Sequence, residues 1–182
     1  MFEFISKKAV AFVAVLTAAV TLLASCDSLP EVCRKGLDRP FWATVDGEVD
    51  GREVKAEVYC DPTEHKTKEI FNRLTVSFEK PLSLEGITVS LRSDGKATVR
   101  LRETSVEMPI YREMTEPYLA LTPMGELYSQ GKTSEGYEMT YRQGEDAVTY
   151  YFGADGVLKC VKGRVDSRDF TLNVTNFRRI NK

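Results

Sequence analysis

Asp50-Gly51 constrains this chain more than any other pair of residues. Asp-Gly set between alternating apolar residues signals a two-residue hairpin. Both turn positions need positive φ, which Gly adopts freely and Asp tolerates. Folding the chain there fixes a register. Val49 meets Arg52, Gly47 meets Val54, Val45 meets Ala56 and Ala43 meets Val58, giving one largely apolar face. The other face pairs Trp42 with Tyr59, Asp46 with Lys55 and Glu48 with Glu53. Aromatic and opposite-charge pairs support this register, and the like-charged pair mildly opposes it.

The same period of two recurs downstream. Leu74, Val76 and Phe78 alternate with Arg73, Thr75 and Ser77 until Pro81. Residues 87–91 pair with 97–101 through Ser93-Asp94-Gly95, a three-residue loop with Gly at its left-handed position. That loop sets Leu91 opposite Ala97, Val89 opposite Val99 and Ile87 opposite Leu101. Ala154-Asp155-Gly156 repeats the device between 147–152 and 158–164, and Phe170, Leu172 and Val174 mark a last strand over 170–177. Residues 108–128 break the pattern, because Pro109, Pro117 and Pro123 exclude both a regular strand and one long helix. Short helical turns are expected there. The fold class is therefore mainly β (α+β): an antiparallel curved sheet of about nine strands, about five before a short helical insertion at 108–128 and about four after it.

The N-terminus carries an address. Lys7 and Lys8 precede an uncharged run from Ala9 to Ala24, the layout of a secretory signal and too short for a comfortable span. It ends Leu23-Ala24-Ser25-Cys26, which resembles the lipobox of bacterial lipoproteins. That resemblance implies a diacylglycerol on Cys26 and cleavage just before it. Two acyl chains suffice for a stable anchor where one holds only marginally. The expected organisation is a signal peptide over 1–25, a polar tether over 26–40 and a single β-rich domain over 41–182. In proteobacterial lipoproteins Asp after the lipidated cysteine favours retention at the inner membrane. By that resemblance Asp27 places the anchor on the outer face of the cytoplasmic membrane.

Composition narrows the partners. Losing Glu3, Lys7 and Lys8 with the leader takes 25 Lys+Arg and 27 Asp+Glu to 23 and 26, a net charge near −3. The charges are mixed and form no basic stripe, so nucleic acid is not an expected partner. Cys33, Cys60 and Cys160 remain beside Cys26 and form no C-x-x-C pair. One structural disulfide or buried thiols is the expectation, without a zinc or redox site.

No catalytic constellation emerges. His65 is the only histidine, and it lies in a polar loop without a second metal ligand at helical spacing. No G-x-S-x-G and no Gly-rich phosphate loop is present, so neither an enzyme nor a cofactor is expected. Asp46-Gly47-Glu48-Val49-Asp50-Gly51 with Glu57 nearly spells a calcium-binding EF-hand loop. Yet its third position is Glu, its eighth is Glu53 and its flanks have strand composition, so a hairpin explains it better and no metal is expected. The remaining lead is the Met- and Tyr-bearing insertion, with Met108, Met114, Tyr118, Leu121 and Met124 as candidate ligand-binding residues. Methionine suits surfaces that accept varied apolar partners. Across the concave face of a curved sheet this segment acts either as a lid over a lipid pocket or as a plug of the core. The plug is the plainer expectation.

The order of parts resembles a known group. A lipoprotein signal and a hairpin precede Phe78-Glu79-Lys80-Pro81-Leu82-Ser83-Leu84-Glu85-Gly86-Ile87-Thr88-Val89, then the Pro-bearing insertion, then Asn176-Phe177-Arg178-Arg179-Ile180. This resembles small lipoproteins of clostridia-like bacteria whose shape is similar to the LolA/LolB and LppX-type fold. The resemblance implies an open half-barrel of antiparallel strands with helices against its concave face, holding acyl chains and carrying no catalytic residues. It departs from that pattern in lacking a clear long helix ahead of the first strand. The functional expectation is a non-enzymatic, membrane-anchored protein that binds a lipid or other apolar ligand. The alternative is a closed-core interaction module of the cell envelope.

The anchor reading has a direct test. Cys26→Ser leaves a hydroxyl where a thiolate must accept the diacylglyceryl group. The variant should migrate near full length and carry no labelled fatty acid, while wild-type protein partitions into detergent and begins at Cys26. Label on the variant would refute lipidation at Cys26.

Overall fold

The computed structural model describes residues 29–63, 70–109 and 112–180. Cys26, His65 and the leader lie outside these residues. The Asp50-Gly51 hairpin forms as the side-chain pattern requires. Strands β1 (Phe41–Val49) and β2 (Arg52–Cys60) pair in the expected register, from Val49 opposite Arg52 to Trp42 opposite Tyr59. Asp50 and Gly51 take φ of 50° and 72°, as such a turn needs. The near EF-hand sequence is thus paired β-structure, and its flanks are strands.

The meander continues through β3 (Asn72–Lys80), β4 (Ile87–Arg92), β5 (Lys96–Leu101) and β6 (Thr104–Pro109). The β4–β5 register matches the expected pairs, with Gly95 at φ 83°. A second run comprises β7 (Glu126–Lys132), β8 (Gly136–Gln143), β9 (Asp146–Gly153), β10 (Leu158–Val165) and β11 (Arg168–Val174), with a short β12 (Arg178–Arg179). Two short helices accompany them: α1 (Leu29–Leu37) precedes β1, and α2 (Arg112–Leu119) joins β6 to β7. All strands form one open antiparallel sheet in the order β6-β5-β4-β3-β2-β1-β11-β10-β9-β8-β7, with β12 paired to β1. The sheet curls enough for the β4–β5 turn and the ends of β8 and β10 to line one groove.

Three expectations change. The described residues hold twelve strands rather than about nine. Sequence reasoning placed residues for β1–β5 and β9–β11 only; β6, β7, β8 and β12 are the others, of which the two edge strands bury little on either face and so carry no clean alternation. The insertion is shorter than 108–128, since β6 runs to Pro109 and β7 starts at Glu126. Residues 29–37 of the expected tether form α1, which buries Cys33, Gly36 and Leu37 against the sheet. Leu29, Cys33, Gly36 and Leu37 share one helical face, so a short amphipathic helix hides in a segment of polar average.

The concave face is filled. Tyr118 of α2 and Ala120 and Leu121 just after it join the core made by the inward residues of β1–β4 and β8–β11. Tyr118 meets Phe78 edge-on with ring centroids 5.7 Å apart. The Tyr150 hydroxyl, fully buried on β9, lies 2.8 Å from the Ala120 carbonyl oxygen and 2.9 Å from that of Thr122, sharing one proton between them. At the other end of the chain, α1 rests on the β9–β10 turn, where Gly156 has φ 71° and a Cβ would lie 3.0 Å from Val32 Cγ1.

Tyr150→Phe keeps the ring and removes the donor that these two carbonyls share. It should destabilise the protein by about 1–3 kcal/mol in urea unfolding. A change below a few tenths of a kcal/mol would show that the hydroxyl does not tie the insertion to the sheet.

Candidate functional site

Filling the centre leaves grooves at both ends of the curled sheet. At the end where β2 finishes, a groove of about 670 Å³ is walled by Leu37, Asp38, Thr63, Arg73, Leu119 and Met124. It shares Arg73, Leu91, Leu119 and Met124 with a second hollow of about 480 Å³ that extends to Gln143 and Val165. The two hollows adjoin across these shared residues and are together termed the channel. The residues after α2 make one wall, because the chain must pass from α2 to β7 across the open side of the sheet. At the opposite end, a mouth of about 530 Å³ is lined by Val54, Phe78, Leu84, Pro117 and Tyr118, with Arg52 and Arg168 at its rim. Arg168 is held by Asp50 at 3.6 Å.

The candidate residues therefore separate. Tyr118 and Leu121 are buried in the core, with the edge of Tyr118 reaching the mouth. Met124 stands half-buried in the opposite groove. Met108 is half-buried on edge strand β6, opposite Ala97. The Met114 side chain lies outside the described residues. The insertion is thus fixed as a plug over its described part, not gathered around one pocket. Sequence reasoning missed Leu37, Arg73, Leu91 and Leu119 as groove residues. Arg73 and Leu91 read only as members of alternating strands, and nothing in their order marks where a curled sheet ends.

Chemistry at these grooves is quiet. Asp61 is a buried carboxylate beside the first groove. It accepts from the Thr63 amide at 3.1 Å, from the Thr63 hydroxyl and from the Tyr59 hydroxyl at 3.3 Å, so it is a structural acid. Cys33, Cys60 and Cys160 are free thiols, so no disulfide links them. Burial raises the pKa of all three, which keeps them protonated near neutrality and poor nucleophiles. The Cys60 thiol lies 3.8 Å from the Tyr118 carbonyl. Among the described residues no group of acids, histidines and cysteines is arranged to hold a metal ion. No described helix is long and apolar enough to cross a membrane.

No protein-family model matches this chain, and no curated protein matches it. Among solved structures it is similar to the crystal structure of an uncharacterized conserved protein from Thermus thermophilus. The two are 22% identical over 85% of this chain and 86% of that one, with a TM-score of 0.49.

The buried acids imply an alkaline limit. Burial raises the pKa of Cys60, Tyr118 and Tyr150 in the folded state. The unfolded chain then loses protons first, so stability is whole below the ordinary thiol and phenol values and falls as pH rises past about 8.5 to 10. Phenolate absorbance of two tyrosines should appear only together with loss of the folded circular dichroism signal. Full titration of all eight tyrosines in a still-folded protein would show that Tyr118 and Tyr150 are not sealed.

Proposed function

We propose that this chain is a lipid-anchored protein of the outer face of the cytoplasmic membrane, held through Cys26, whose half-barrel binds a lipid or other apolar ligand without catalysis. The observation that carries the reading is the channel past Leu37, Leu91, Leu119 and Met124, whose 670 Å³ and 480 Å³ parts each fall within the volume range of small-molecule sites. Leu37, Leu91, Leu119 and Met124 give it an apolar strip, and Asp38, Arg73, Arg92, Glu116 and Asp146 line the rest, a layout that suits a ligand with an apolar body and a polar end. The likeness of the sequence order to the LolA/LolB and LppX-type half-barrels favours the same class of ligand. The difference from a deep acyl pocket is the plug: Tyr118 and Leu121 occupy the centre, so the ligand lies along the end of the sheet.

A second reading is an envelope interaction module with a closed core. The filled concave face favours it, as do Val106 on β6 and Leu127 and Tyr128 on β7, which expose apolar surface along the two open edges.

Native mass spectrometry and titration with a fluorescent fatty acid separate the two. The ligand reading predicts co-purified lipid, saturable binding and at least about a tenfold loss of affinity in Met124→Lys, since a charge would have to be desolvated against an acyl chain. Absence of both co-purified lipid and saturable binding would leave the interaction module standing.

A further inference from the structure

The outward side of β1 and β2 carries a group of residues that neither the core nor the channel uses. A polar cleft of about 600 Å³ opens there, lined by Thr44, Glu57, Lys159, Thr175, Asn176 and Arg178. It lies where the chain runs on along β1 from β11 to β12, with one extra residue between Val174, opposite Val45, and Arg178, opposite Trp42. Thr175 Oγ1 donates to the Thr44 carbonyl at 3.2 Å, and Asn176 Nδ2 lies 3.4 Å from Thr44 Oγ1. Trp42 and Tyr59 are not part of the cleft lining but lie next along the sheet from it. They stand on the same face as Thr44 and Glu57, two residues along each strand, and Trp42 is the register partner of Arg178.

This aromatic pair is not core. Trp42 is 37% exposed, and its ring lies 5.2 Å from that of Tyr59 at an angle of 47°. The pair forms an open, tilted apolar step beside a polar floor. Glu57 and Arg178 carry opposite charges, and neither has an ion-pair partner among the described residues; Lys159 is held by Asp155 at 3.6 Å. An unpaired acid and an unpaired base in one cleft do not select an ion. They offer strong acceptors and strong donors side by side, with the Asn176 amide supplying both. A ligand that needs both along one edge, and presents an apolar face on another, is a sugar ring: hydroxyls at the rim and C–H groups on the face.

We infer that this outer cleft binds a carbohydrate chain, with a ring stacked on Trp42 and Tyr59 and its hydroxyls bonded to Glu57, Asn176 and Arg178. The site is separate from the proposed apolar channel and does not depend on it.

Trp42 is the sole tryptophan, so its fluorescence reports this site with no label. Mature protein in a detergent without a sugar headgroup is titrated with hexamers of β-1,4-linked N-acetylglucosamine, of cellulose type and of amylose type. At least one should shift Trp42 emission saturably with Kd of about 1 mM or tighter. Glu57→Gln and Asn176→Ala should each weaken that binding about fivefold or more with an unchanged Tm, as expected for loss of one hydrogen bond. Both changes are on the surface and leave the Trp42 reporter in place. No saturable shift with any hexamer would overturn the inference. So would binding that ignores both substitutions, or tighter binding of short unstructured peptides with the same sensitivity to them.

Discussion

Strand parity governs this molecule. Eleven strands follow one another around the curled sheet, each antiparallel to its neighbours, and β1 pairs with β11 to join the two halves. An odd number of alternating strands leaves the two edge strands, β6 and β7, pointing the same way. They are also opposite edges of an open sheet and not neighbours, so no tight hairpin can join them and the link must cross from one edge to the other. The chain therefore leaves the sheet after β6, and the crossover is where an all-β meander has to admit a helix. Because the concave surface beneath is apolar, the crossover must also carry apolar side chains inward. Tyr118, Ala120 and Leu121 meet that requirement, and the Tyr150 hydroxyl donates to the carbonyls of Ala120 and Thr122 just past the end of α2.

This constraint explains what the sequence revealed and what it hid. Central hairpins were legible because one face of each is buried: the β1–β2 and β4–β5 registers follow from Asp50-Gly51 and Gly95 together with strict alternation. Edge strands were not, since β7 is exposed almost throughout and its residues need not alternate. The polar average over 26–40 concealed α1, although the spacing of Leu29, Cys33 and Leu37 carries the helical period. Tyr118 and Leu121 read as candidate ligand-binding residues; the structure buries both in the core, a position that depends on the curl of the whole sheet. Strand patterns state which side of a sheet a residue faces; they do not state how far around the sheet bends.

Two surfaces then follow from one architecture. A curled sheet with a plugged centre has channels at its ends, and the proposed ligand lies along one of them, past Leu91 and Met124. On its convex side the irregular step from β11 to β12 along β1 holds a polar cleft near the Trp42–Tyr59 pair. A chain anchored through Cys26 would present both surfaces outside the membrane.

The central claim is that residues 115–124 are a fixed plug instead of a lid. Native-state hydrogen exchange tests it most directly. The amides of Ala120, Leu121 and Thr122 bond to the carbonyls of Glu116, Tyr118 and Leu119. If the segment is part of the core, these amides should exchange as slowly as those of the β1–β11 ladder, near the rate set by global unfolding. Exchange many orders of magnitude faster than that ladder, in an otherwise protected protein, would mean the segment opens on its own and would contradict the account.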